Sequence, residues 1–304
     1  MIPNKALSIL YTMTVILFTN SLQAQTNPID NNIQIYRDSI QYYLQKEAPK
    51  DNSYLVAFSI GKYYYLLAEQ YALNYTQLDT ASGKISPLVY YDSAMQYLKL
   101  STKKNKSFAP AYYYLGVMLS QSNDDYKNVS KYFYSAIKLD PDNFEYWLTS
   151  ANYTSFFKQE AAISQYTKAI ELNPSDYRAY MGRAAARSHP TQFAGDPQIR
   201  LIEEDFAKAL SLDCDSAEVL LKRGWSRLHN ARNYDDAILD YTVVIKLAPD
   251  RIEAYYFRAQ SFYLNGQLTE ACADYTKWKE LGGTGWIYYI KEACGISYED
   301  WYKK

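Results

Sequence analysis

Lys138-Leu139-Asp140-Pro141, Glu171-Leu172-Asn173-Pro174 and Lys246-Leu247-Ala248-Pro249 are one element written three times in a chain of 304 residues. Ser211-Leu212-Asp213-Cys214 is a further copy with the proline replaced. The spacings are 33 residues from Pro141 to Pro174, 40 from Pro174 to Cys214 and 35 from Cys214 to Pro249. Each copy closes a stretch of helical pattern. Proline stops a helix there, because it lacks an N–H and clashes with the preceding turn. A helix–turn–helix unit of about 34 residues cannot bury its apolar face alone, so consecutive units must stack.

The rest of the pattern fits stacked helix pairs. A small residue recurs midway along each first helix: Gly116, Ala151, Ala184, Gly224 and Ala259. Others recur early in second helices (Ala162, Ala237, Ala271) and one turn before their ends (Ala136, Ala169, Ala209). Two helices approach closely only where small side chains face each other, and large ones fill the space between. Here the large ones are Tyr112, Trp147, Tyr180 and Tyr255 in first helices, and Phe133, Tyr166, Phe206, Tyr241 and Tyr275 in second helices. Arg183, Arg223 and Arg258 each precede the first-helix small residue, and Asp205, Asp240 and Asp274 each precede the second-helix aromatic. This register predicts a ladder of Arg–Asp bonds between packed helices, since a bidentate pair satisfies both groups.

These residues resemble the tetratricopeptide repeat. The resemblance implies an all-α fold: a right-handed superhelix, an α-solenoid of about five to six helix–turn–helix repeats with a C-terminal capping helix. Five units are expected over 109–281. Residues 25–108 hold a degenerate repeat, with Gly61 and Ala94 as its small residues and an insertion at 75–85, preceded by a helix at Asn32–Gln45. Val129, Ser150 and Val244 depart from the usual residues, which predicts looser packing there. Residues 282–304 are expected to form the cap, with a helix over Thr284–Ala293, because a terminal repeat has no neighbour for its outer face.

Residues 1–24 read as a secretory signal: Lys5, an apolar run from Ala6 to Phe18, then polar residues ending at Ala24. Cleavage is expected after Ala24. The run is short for a span of about 20 residues, so no transmembrane segment is expected in the processed chain. The closing segment, from Glu270 to Cys294, is similar to that of bacterial envelope repeat proteins, which implies the periplasm or outer cell envelope, or secretion. An oxidising compartment makes Cys272 and Cys294 candidates for a disulfide, with buried free thiols as the alternative.

Chemistry is hard to assemble. There are two histidines, and no His-Glu-x-x-His, Cys-x-x-Cys, Gly-x-Ser-x-Gly or phosphate-loop motif. No catalytic residue, metal site or cofactor is expected, and the chain is not read as an enzyme. A net charge of −1 at pH 7 offers no basic excess for nucleic acid. First helices of such arrays line the concave side, so the candidate groove residues are Tyr113, Asn152, Met181, Leu221, Trp225, Tyr256, Gln260 and Tyr263. A loop at about 188–200, carrying Phe193 and Asp196, is a further candidate. The expected function is a non-enzymatic scaffold that holds a peptide or partner helix in the groove. The alternative is a glycan or cell-wall polymer bound through the aromatic residues.

Overall fold

The computed structural model describes residues 28–45, 53–73, 86–121, 125–188, 197–212, 214–284 and 288–295. The expected signal peptide, the insertion at 75–85 and the loop candidates Phe193 and Asp196 lie outside these residues, while Pro197–Arg200 of the expected loop are the first turn of a helix. The helices are α1 (Pro28–Gln45), α2 (Ser53–Leu73), α3 (Pro87–Lys104), α4 (Ala109–Gln121), α5 (Tyr126–Leu139), α6 (Phe144–Thr154) and α7 (Gln159–Leu172). They continue as α8 (Tyr177–Arg187), α9 (Pro197–Leu210), α10 (Ser216–Ser226), α11 (Tyr234–Leu247), α12 (Ile252–Leu264), α13 (Leu268–Glu280) and α14 (Tyr288–Ala293). No strand occurs among the described residues. The chain forms two compact units that divide at Met118/Leu119, within α4.

In the first unit α2 packs against α1 and α3. Ser86 caps α3, its hydroxyl accepting from the Leu88 N–H, and Pro87 fills the first helical position, where its missing N–H costs nothing. Gly61 earns its place by close approach: a Cβ there would stand 2.9 Å from Leu98 Cγ and 3.0 Å from the Leu98 nitrogen. Ile33, Ile40, Leu67 and Tyr71 are buried between α1 and α2, among half-buried tyrosines. Tyr64 stacks on Tyr97 and Tyr71 on Tyr90. Arg37 donates to the Tyr71 hydroxyl at 2.5 Å.

In the second unit α6–α7, α8–α9, α10–α11 and α12–α13 are packed pairs. Their crossing points are the recurring small residues: Ala151, Ala162, Ala184, Ala209, Ala237, Ala259 and Ala271 are fully buried. Tyr166, Phe206, Tyr241 and Tyr275 fill the space between them. A Cβ on Gly224 would lie 2.8 Å from the Tyr241 ring, so this crossing admits only glycine without a shift. First-helix aromatics also bond the turn before them. Trp147 Nε1 donates to the Pro141 carbonyl at 2.7 Å, and the Tyr255 hydroxyl to the Pro249 carbonyl at 3.2 Å.

Val129, Ser150 and Val244 are all buried. One expectation changes. The capping helix begins at Tyr288 and not at Thr284. Gly282 has φ +90°, a conformation that suits glycine, and the Gly283 backbone lies flat against the Trp278 indole, so the chain turns here before helix can resume.

Another feature was not foreseen. Arg227–Ala231 form a π-helical turn at the end of α10, closed by Arg232 at φ 51°. The spacing of 35 from Cys214 to Pro249 is one more than the period of about 34, and a π turn absorbs one added residue without breaking the helix.

Candidate functional site

The first helices of the second unit form a row. α6 touches α8, and α8 touches α10. Ion pairs also join neighbours directly. Arg178 of α8 donates to Glu145 of α6 at 2.5 Å, and Arg251, which caps α12, donates to Glu218 of α10 at 2.7 Å. Both bridges are partly exposed, so they fix geometry more than they add stability. Arg178 also grips Asp176; although burial opposes ionisation there, these bonds hold the Asp176 carboxyl below its usual value.

Behind the row stands the expected ladder. Arg183 is bidentate on Asp205 (2.9 and 2.7 Å), Arg223 on Asp240 (3.0 and 2.7 Å) and Arg258 on Asp274 (2.6 and 2.7 Å). Each aspartate is buried. Arg183 and Arg258 reach on to Thr167 and Thr242 of the preceding pair, at 3.1 and 3.0 Å. The ladder therefore ties unit to unit as well as helix to helix. Second arginines one turn on join it: Arg187 donates to Asp205 at 2.5 Å, and Arg227 to Asp240 at 3.0 Å and to Glu203 at 2.8 and 3.0 Å. Their signal was present in the sequence as Arg-x-x-x-Arg at 183/187 and 223/227. The cross-unit pairs of Glu145 and Glu218 had no such signal, because their partners lie in the next repeat.

The candidate groove residues divide. Asn152 is exposed; it accepts the Tyr166 hydroxyl at 2.8 Å on Oδ1, which leaves its Nδ2 to donate outward. Met181, Trp225, Tyr256, Gln260 and Tyr263 are half-buried. Trp225 rests on His229 with ring centroids 4.7 Å apart, a contact the sequence reading did not make. This partial burial pushes the His229 imidazole below its ordinary 6.5. Tyr256 leans on Trp278 at 5.5 Å. Leu221 does not belong to the face: at 8% exposure it packs with Leu220, Leu228 and Tyr241 in the core. It packs toward Tyr241 of α11. Tyr113 lies in the first unit, edge-on to Tyr114.

Cys272 of α13 is bonded to Cys294, just past α14, with Cα atoms 5.6 Å apart. Ile290 of α14 is fully buried against Tyr255, Ala259, Tyr275 and Trp278. Cys214 keeps a free thiol. Among the described residues no three His, Cys, Asp or Glu side chains are grouped to hold a metal, and no helix is long and apolar enough to cross a membrane.

Helix pairs crossing at alanine and glycine, each second helix ended by the same short element, define a helical-repeat protein. Residues 221–285 match the family model described as tetratricopeptide repeat. Solved structures share the fold. A tetratricopeptide repeat protein from Parabacteroides merdae aligns at 17% identity and TM-score 0.54, over 76% of this chain and 98% of its own. Pseudomonas aeruginosa pilF aligns at 16% identity and TM-score 0.56, over 77% and 96%. The APC/C hetero-tetramer Cut9–Hcn1 aligns at 11% identity and TM-score 0.61, over 88% of this chain and 46% of that one. A search of curated proteins returned no match.

Proposed function

We propose that this chain is a non-enzymatic scaffold that holds a segment of another protein against the first helices of its second unit. One observation carries the reading. The residue after the small crossing residue in successive first helices is Asn152, Ala185, Trp225 and Gln260. None of the four is buried, although the crossing residues beside them are fully so. Such a row offers aromatic and amide contacts at low entropy cost on a stiff support. A fold of this kind assembles with a second protein in the hetero-tetramer Cut9–Hcn1.

The site of action belongs to the same proposal: export through the 1–24 signal, and work in the periplasm or outer envelope. The cysteine pair at 272 and 294 suits an oxidising compartment. Capture from native envelope extract tests the reading. The full chain is compared with an Asn152→Arg, Ala185→Arg variant; both positions are exposed, so the fold should survive, as circular dichroism would verify. A protein held by the first and lost by the second supports the face. Equal capture by both moves the site elsewhere on the molecule. N-terminal sequencing of the processed chain should begin at Gln25.

A further inference from the structure

The first helices α6, α8, α10 with its π turn, and α12 carry Glu145, Arg178, Arg183, Arg187, Glu218, Lys222, Arg223, Arg227, Glu253 and Arg258. Every one of these charged side chains is already in an ion pair. Glu145 is held by Arg178, Glu218 by Lys222 and Arg251, and Glu253 by Arg251. The remaining arginines sit on Asp176, Asp205, Asp240, Asp274 and Glu203. The second helices differ: Glu160, Lys208, Lys246 and Glu270 stand exposed in solvent without an ion-pair partner among the described residues. The row is thus the side of the molecule on which charge has been used up internally. His229, the histidine on it, is exposed but rests against Trp225, and the hydration lost on that side favours its neutral form.

We infer that this row recognises an extended, uncharged protein segment bearing proline or aromatic rings. The inference rests on the scaffold reading above. A charged segment would lose its hydration there and find no counter-charge free to receive it, which is costly. An uncharged one loses little. Asn152 Nδ2 supplies a donor for main-chain carbonyls, and the rims of Trp225 and Tyr256 supply contact for rings. Four helices at about 10 Å spacing span about 30 Å, the length of roughly nine extended residues. A neutral sugar is the other uncharged ligand with affinity for aromatic side chains. It stacks on a ring face, and because the neighbours of Trp225 and Tyr256 are tilted or edge-on, it is an outcome the test must separate.

The test uses the full chain and a display library of random peptides, beside Ala185→Glu and Ala185→Lys. Position 185 is exposed and on the row, so each variant adds one unpaired charge of known sign without disturbing the core. The expected result is enrichment of peptides poor in Asp, Glu, Lys and Arg and rich in proline and aromatics. Their affinity should hold from low to high salt and fall about tenfold or more with either variant, since each leaves a charge to desolvate. Enriched peptides that carry charge, and that bind one variant better and the other worse, would overturn the inference while leaving the scaffold reading intact. Binding indifferent to both variants would remove the site itself, and with it both readings. Displacement of the selected peptides by a neutral cellulose- or chitin-derived oligosaccharide would overturn the inference in favour of a glycan.

Discussion

Two buried tyrosines occupy the same slot in the second helices α7 and α11, with different consequences. Tyr166 donates its hydroxyl to Asn152. Burial pushes that hydroxyl up to about 12. Tyr241 is fully buried, and its hydroxyl has no partner among the described residues. Tyr166→Phe should therefore cost about 1 kcal/mol of stability, while Tyr241→Phe should be neutral or stabilising. Urea unfolding of the two variants checks the contrast. Among the ion pairs, Arg258–Asp274 has the fewest competitors, because Phe262 stands where the other rungs carry a second arginine. Asp274→Ala should cost about 3 kcal/mol, because it leaves a guanidinium largely buried, and Arg258→Met with Asp274→Leu should recover most of that loss. A double-mutant cycle with no coupling would contradict the pairing. His229 makes a pH prediction. Its folded pKa lies below 6.5, so the unfolded chain takes up a proton that the folded chain refuses. The resulting stability is present above pH 6.5 and is lost as pH falls through the folded pKa. Over the same window imidazolium should quench Trp225, and this acid quench should vanish in His229→Gln.

At the scale of elements, α14 depends on its attachments. A helix of six residues does not stand alone in water. Its described hold on the unit is Ile290, with the Cys272–Cys294 bond alongside. Reduction by a dithiol should free it, expose Trp278 to a red-shifted emission and lower stability by roughly 3 kcal/mol for a loop of this size. Cys294→Ser should show the same emission without reductant, and unchanged emission in both would contradict the tether. Helix positions were legible because small residues and helix-ending elements recur at a fixed period. The π turn at Arg227–Ala231 was legible only as one surplus residue in a spacing, which does not say where the helix will absorb it. The late start of α14 was written in Gly282, Gly283 and Gly285, which disfavour helix, and the close approach of Gly283 to Trp278 accompanies the break.

For the whole molecule, the repeat arithmetic carried the fold class, and the pairing of Arg with Asp followed from where those residues fall in each unit. The face was less legible. Spacing along one helix places Asn152, Ala185, Trp225 and Gln260 outward, and the structure does not bury them. It also placed Leu221 outward, but Leu221 packs in the core with Leu220, Leu228 and Tyr241. The ion pairs that neutralise the row join different repeats, so no reading of one unit could find them. The central claim is that protein partners bind on the first-helix row. Its most direct test is a photo-crosslinking residue placed in the living cell at Ala185, on the row, and separately at Ala207, exposed on second helix α9. The account predicts a partner crosslinked from position 185 and not from 207; crosslinking from 207 alone, or equally from both, would contradict it.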